Sequence, residues 1–170
     1  MNLKAIIDEI HDFPKKGILF RDISPLLRNP SAISYMVDEF AKRFHPKDFD
    51  IVAGIESRGF PLALAVGIRH NKGMIMIRKQ GKLPGKTKSL SYSTEYSKTS
   101  MEIQTSSVKQ GQKVLICDDL LATGGTAKTA ARLIEKIGGK ITGFAFIIEL
   151  TNLRGSKKIS NYKHESLVKY

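Results

Sequence analysis

The sequence has almost no cysteine. Cys117 is the only one in 170 residues, which excludes an intrachain disulfide framework and a multi-cysteine zinc site. It also lacks any apolar run near the ~20 residues that a membrane-spanning helix needs. The opening MNLKAIIDEIHDF sets acids inside its apolar pattern, so it does not read as a signal peptide. Internal repeats, low-complexity tracts and linkers are missing as well. The length suits one domain, residues 1–170, able to bury roughly 70% of its unfolded surface without staples. A cytoplasmic protein with no membrane association is expected.

Acidic residues are the other shortage. Sixteen Asp and Glu face 28 Lys and Arg, leaving a net charge of +12. Such a balance suits nucleic acid, a membrane surface, small anionic substrates, or simply a solvated lysine-rich exterior. The lysines are scattered, with one denser region, RKQGKLPGKTK, at Arg78–Lys88. No basic run has the interleaved aromatics of a single-strand platform. Only a dozen residues precede Phe13, too few for the separate DNA-binding module expected of a regulator. Nucleic acid is therefore not the expected partner.

What is present is an alternation of strands and helices. Leu3, Ile6, Ile7 and Ile10 recur at helical spacing and predict an opening amphipathic helix. FPKKGILFRDISPLLRNP, punctuated by proline and glycine, reads as an irregular structured arm. Ile33, Met36, Val37, Phe40 and Phe44 form a helical stripe, with Ser31 or Asn29 as cap. DIVAGI, GMIMIRK, KVLICDD and ITGFAFIIEL are apolar runs of buried strands, SMEIQ a shorter one, and HESLVKY a last one. SRGFPLALAVGIRH reads as a turn and helix, and Thr126–Ile137 as another helix, stopped by Gly138-Gly139. Residues 79–100, rich in Gly, Ser, Lys and Thr, read as a long loop. The class is α/β, with a central, mostly parallel sheet flanked by helices. Ligands of such sheets bind beyond the carboxyl ends of the strands. Three turns fall there: Glu56–Gly59, Arg78–Lys82 and Asp118–Thr126.

The third turn is chemically unusual. Ala122, Thr123, Gly124, Gly125 and Thr126 sit where a strand gives way to a helix. A helix N-terminus offers free N–H groups and a positive dipole end, and glycine lets a phosphate approach closely. Neither a Walker A loop nor a G-x-G-x-x-G fingerprint is present. Asp118 and Asp119 lie just before this cradle. Adjacent carboxylates accept hydrogen bonds from vicinal hydroxyls, and they also take magnesium. A ribose 5-phosphate would supply both the hydroxyls and the phosphate.

VLICDDLLATGGT resembles the phosphoribosyl-pyrophosphate motif of the type I phosphoribosyltransferases. GILFRDISPLL, GIESRGF, IRKQGKLPG, YSTEY and FIIEL are similar, in order and spacing, to the branch of that family that takes adenine. The likeness runs from about Phe13 to Gly155. It implies purine salvage: phosphoribosyl pyrophosphate and adenine become AMP and pyrophosphate, with Mg²⁺ carried by the substrate rather than held in a protein cage. Asp118 and Asp119 would bind the ribose hydroxyls, and Ala122 to Thr126 the 5-phosphate. Glu56, Ser57, Arg58, Arg78, Lys79 and Lys82 would bind pyrophosphate, with Arg58 also catalytic. The resemblance further implies a cis Glu56–Ser57 peptide. Main-chain atoms of Leu19 and Arg21 would read adenine, with Phe20 and Leu120 on its faces.

Residues 1–32 would be an N-terminal arm and base-binding hood, and residues 83–100 a flexible loop that closes over the site. In that loop Glu95 would relay the purine proton, with Tyr96 beside it. The family usually works as a homodimer. Cys117 stands where the motif is more often aliphatic and is expected to be an inert buried thiol. Transfer to another purine such as xanthine or hypoxanthine, and a non-catalytic regulator that senses phosphoribosyl pyrophosphate, are the alternatives.

Overall fold

The structure, a computed structural model, describes residues 1–93 and 98–170. Glu95 and Tyr96 lie outside the described residues.

The N-terminal region departs from the expected helix. A 3₁₀ turn at Leu3–Ala5 leads into strand β1 (Asp8–His11), which pairs antiparallel with β2 (Leu19–Asp22). An isolated helix this short is marginal in water, and pairing with β2 satisfies the same backbone groups. Leu3 and Ile7 are buried, whereas Ile10 is exposed on the hairpin. Part of the proline-punctuated arm is therefore regular structure. It continues into the short helix α1 (Ser24–Leu27) and then α2 (Pro30–Arg43). The Asn29 side chain accepts from the Ala32 N–H at 3.1 Å, a cap worth about 1 kcal/mol, and Pro30 occupies the first turn. Ala32, Met36, Val37 and Phe40 form the buried stripe.

Strand β3 (Ile51–Ile55), helix α3 (Gly59–Arg69) and strand β4 (Met74–Lys79) form a βαβ unit. Within residues 79–100, the described residues hold more regular structure than their composition suggests. β5 (Thr87–Ser93) and β6 (Lys98–Gln104) form an antiparallel hairpin that extends the sheet through β4. Its serines and lysines suit a strand at the sheet edge, where polar side chains discourage pairing with other chains. β7 (Lys113–Leu121), α4 (Gly125–Lys136), β8 (Lys140–Glu149) and β9 (His164–Lys169) complete the fold.

Among the described residues the main sheet has the order β5-β6-β4-β3-β7-β8-β9. β4, β3, β7, β8 and β9 run parallel. Both faces of β3 and β7 are covered, which explains their unbroken apolar runs. One core packs α1, α2, α3 and the N-terminal segment on one face. The other packs α4 and the β5–β6 hairpin on the opposite face. The chain winds from β3 through α3 to β4 on one side, while β7 lies on the other side of β3. The β3/β7 boundary is thus a topological switch point, where open α/β sheets bind ligands. Among the described residues no helix is long and apolar enough to cross a membrane.

Candidate active site

The switch point brings two of the three expected turns side by side. Asp118 and Asp119 lie in β7, both buried, three and two residues before its end at Leu121. The Glu56–Arg58 turn leaves β3 and leads into α3. Gly59 allows this approach, because a Cβ there would come within 2.6 Å of the Cys117 carbonyl and 3.0 Å of Asp118 Oδ1. The Glu56–Ser57 peptide is cis. Ser57 is exposed.

The acids are arranged asymmetrically. Asp118 Oδ1 accepts the Asp119 N–H at 2.9 Å, while Asp119 Oδ2 pairs with Arg58 Nε at 2.9 Å. Burial, and then the charge of Asp119, push the Asp118 carboxyl well above its ordinary range. Burial also raises Asp119, with Arg58 opposing. Burial and the adjacent Asp118 push the Cys117 thiol far up, so it is inert, as expected. Two like charges held this close and this dry are costly in an empty site. They become useful when neutral donors, such as sugar hydroxyls, arrive.

The cradle lies next to them. One small cavity is lined by Asp118 and by residues 120–127. Gly124 takes φ +76°, a left-handed conformation that suits glycine, and forms the N-cap of α4. Among the described residues no side chain caps this helix end, which leaves its first N–H groups for an anion. The turn is also shaped from outside the motif. Gly124 packs backbone to backbone against Gly155, and a Cβ on Gly155 would collide with the Ala122 carbonyl oxygen. Tyr92 of β5 shares a hydrogen bond of 3.1 Å with the Thr126 hydroxyl, so the hairpin reaches the cradle. Neither Tyr92 nor Gly155 has a local sequence signature, and their roles emerge only when distant segments meet.

Arg58 joins the acid pair to the hood. Its guanidinium lies 4.7 Å from the centroid of the Phe20 ring, and its buried Nη1 has no hydrogen-bond partner among the described residues. Phe20 also packs edge-on against Phe13 at 5.0 Å. Leu19 is partly exposed, and Leu120 borders the cavity of the cradle. The Arg21 side chain turns away to pair with Glu9 and to stack 3.8 Å from the centroid of the Tyr170 ring.

The third turn carries the remaining cations. Lys79 and Lys82 are exposed. Arg78 is committed within the protein: Nε and Nη2 donate to Glu56 at 3.3 and 3.1 Å, and Nη1 to the Lys82 carbonyl at 3.1 Å. Glu56 also accepts the Lys79 N–H at 2.8 Å, and its own N–H is spent on the Ile77 carbonyl. Burial raises the Glu56 carboxyl, but Arg78 and the Lys79 amide outweigh it and hold the group below its ordinary range. Glu56 thus organises cations rather than presenting a free group.

A buried acid pair beside a glycine turn, at the switch point of a parallel sheet, has the chemistry that suits a phosphorylated sugar. The model of the phosphoribosyl transferase domain matches residues 29–169. The chain belongs to the phosphoribosyltransferase family, in its adenine phosphoribosyltransferase branch. An adenine phosphoribosyltransferase of Nitrosopumilus maritimus is 66% identical over 170 residues, covering 100% of both chains. The crystal structure of the Thermoanaerobacter pseudethanolicus enzyme is similar at 44% identity with a TM-score of 0.95, over 99% of this chain and 98% of the other. The Giardia lamblia enzyme, solved with 9-deazaadenine, is similar at 34% identity with a TM-score of 0.94, over 99% and 96% of the two chains.

Proposed function

We propose that this chain transfers the 5-phosphoribosyl group of phosphoribosyl pyrophosphate to adenine, giving AMP and pyrophosphate, in purine salvage. The observation that carries the reading is the shared cavity of Asp118 and the Ala122–Thr126 turn. It spaces hydroxyl acceptors and phosphate donors along one sugar phosphate. The bond from the anomeric carbon to pyrophosphate breaks, and a bond to a purine nitrogen forms as that nitrogen loses its proton. Positive charge develops on the sugar and negative charge on the leaving group, so preorganised cations near the leaving oxygen supply the main stabilisation. Arg58, whose buried Nη1 has no hydrogen-bond partner among the described residues, and the exposed Lys79 and Lys82 are assigned to that role. Arg78 acts with them through the turn it holds, and the backbone around Ser57 completes the pocket.

Adenine lies against Phe20 and Leu120, read by the main chain of Leu19 and Arg21. Glu95 relays the purine proton, with Tyr96 nearby. Unchanged turnover in Glu95→Gln would remove that step.

Among the described residues no three His, Cys, Asp or Glu side chains cluster as a metal cage. Asp118 and Asp119 would help hold a Mg²⁺ carried in on phosphoribosyl pyrophosphate, and that ion would supply charge neutralisation for the leaving group. The enzyme works in the cytoplasm as a homodimer. The exposed Leu64 and Ile68 of α3, beside Ile33 and Val37 of α2, support an apolar contact between copies. Sedimentation as a monomer at micromolar concentration would exclude it.

The deciding experiment supplies phosphoribosyl pyrophosphate, Mg²⁺ and, in parallel, adenine, hypoxanthine, guanine or xanthine. AMP and pyrophosphate should form with adenine. Turnover of another base alone would reassign the substrate, and no turnover with any base would sink the enzymatic reading.

A further inference from the structure

We infer that Glu102, in β6, is a positioning residue for the pyrophosphate half of the site, holding the Gly81–Leu83 turn in the shape that presents Lys82. The inference rests on the proposed role of this turn in binding pyrophosphate.

Glu102 is 3% exposed, an unusual place for a carboxylate in an edge hairpin. Its Oε1 accepts two backbone N–H groups, from Lys82 and Leu83, each at 2.9 Å. Burial would raise its pKa, but these amides, with the Thr87 hydroxyl and the Gly81 amide, hold it low. The carboxylate is thus solvated by the turn itself.

Glu102 does not act alone. It stands opposite Arg78 in the β4–β6 ladder. Arg78 Nη1 donates to the Lys82 carbonyl, while Glu102 accepts the Lys82 N–H. The main chain of Lys82 is therefore gripped at both of its polar groups, from two neighbouring strands. Glu56 fixes Arg78 in turn and also takes the Lys79 amide. Gly81, at φ +85°, lets the chain reverse between the two grips. The ordered part is the backbone, while the Lys82 side chain stays exposed. This division suits a cation that must meet developing negative charge without the turn reorganising as it does so. A glutamate that served only to cap a turn could sit in solvent at much lower cost.

The test compares Glu102→Gln and Lys82→Ala with the unaltered enzyme. Gln keeps the size but loses the charge, and its NH₂ group replaces one of the two acceptor oxygens. In both variants KM for phosphoribosyl pyrophosphate and the inhibition constant of pyrophosphate should rise about tenfold, the loss expected for charge-assisted hydrogen bonds. KM for adenine should stay within about twofold, a split that general loosening of the fold would not give. If Lys82→Ala weakens both while Glu102→Gln changes neither, the positioning role is overturned and the pyrophosphate assignment stands. If Lys82→Ala also changes neither, the assignment of the turn falls, and the inference with it. Should Glu102→Gln fail to fold, Glu102→Asp retracts the charge by one methylene and carries the same expectation.

Discussion

Arg58 Nε lies 2.9 Å from Asp119 Oδ2, while the face of the same guanidinium lies over Phe20. One side chain therefore touches the sugar half and the base half of the proposed site. Arg58 partly neutralises a buried acid. With sugar hydroxyls on the acids, it has donors to spare for the leaving pyrophosphate, its Nη1 first. The arrangement concentrates electrostatic cost where ligand contacts repay it.

Asp118 carries most of that cost. Its folded pKa is raised, so the folded protein binds this proton more tightly than the unfolded chain does. That contribution to stability is complete below the unfolded pKa and is lost as pH rises through the folded one. At pH 7.5 the empty protein is therefore expected to gain stability from Asp118→Asn, which keeps an acceptor for the Asp119 N–H. Thermal melts without substrate should show a higher Tm for the variant, with the gap closing toward acid pH. Its kcat/KM for phosphoribosyl pyrophosphate should fall about ten- to a hundredfold, as a charged acceptor is lost. A lower Tm at pH 7.5 would show that the carboxylate is favourable even in the empty site.

Gly155 supports the cradle although it follows β8 rather than β7. A Cβ there meets the Ala122 carbonyl and the Gly124 amide, both backbone atoms with little freedom to move. Gly155→Ala should destabilise the protein by about 1–3 kcal/mol, the usual cost of overpacking. It should also raise KM for phosphoribosyl pyrophosphate, because the clash displaces the turn that takes the 5-phosphate. Denaturant melts and steady-state kinetics on the same sample test both parts. Unchanged kinetics in a destabilised variant would restrict Gly155 to a packing role.

The sheet centre and the acid-and-glycine motif are legible in the sequence for one physical reason: each is local. β3, β7 and β8 are covered on both faces and read as apolar runs, and the cradle needs glycine at Gly124, where φ is +76° and the Gly155 backbone leaves no room for a Cβ. SMEIQ is legible as the strand that became β6, whereas β5 is obscured because an edge strand carries polar residues that mimic a loop. β1 was obscured because its apolar spacing also fits a helix, and only β2 decides between them. Glu102 and Gly155 act through partners distant in sequence, so their local patterns are silent.

Tyr170 is another such residue, and it ties the hood to the sheet. Its N–H donates to the Glu149 carbonyl at 3.0 Å, and its carbonyl accepts the Thr151 N–H at 2.9 Å and the Thr151 hydroxyl at 2.7 Å. With its backbone so fixed, the ring receives Arg21 at 3.8 Å and Lys4 at 4.2 Å from its centroid. Arg21 belongs to β2, whose main chain is assigned to adenine. Tyr170→Ala should therefore raise KM for adenine by about two- to thirtyfold, the range of a cation–π contact, and leave KM for phosphoribosyl pyrophosphate unchanged. Tyr170→Phe should behave as the unaltered enzyme, because the buried Tyr170 hydroxyl has no hydrogen-bond partner among the described residues. Equal adenine KM in Tyr170→Ala and Tyr170→Phe would mean that β2 holds its place without the ring, through Glu9 and the hairpin alone.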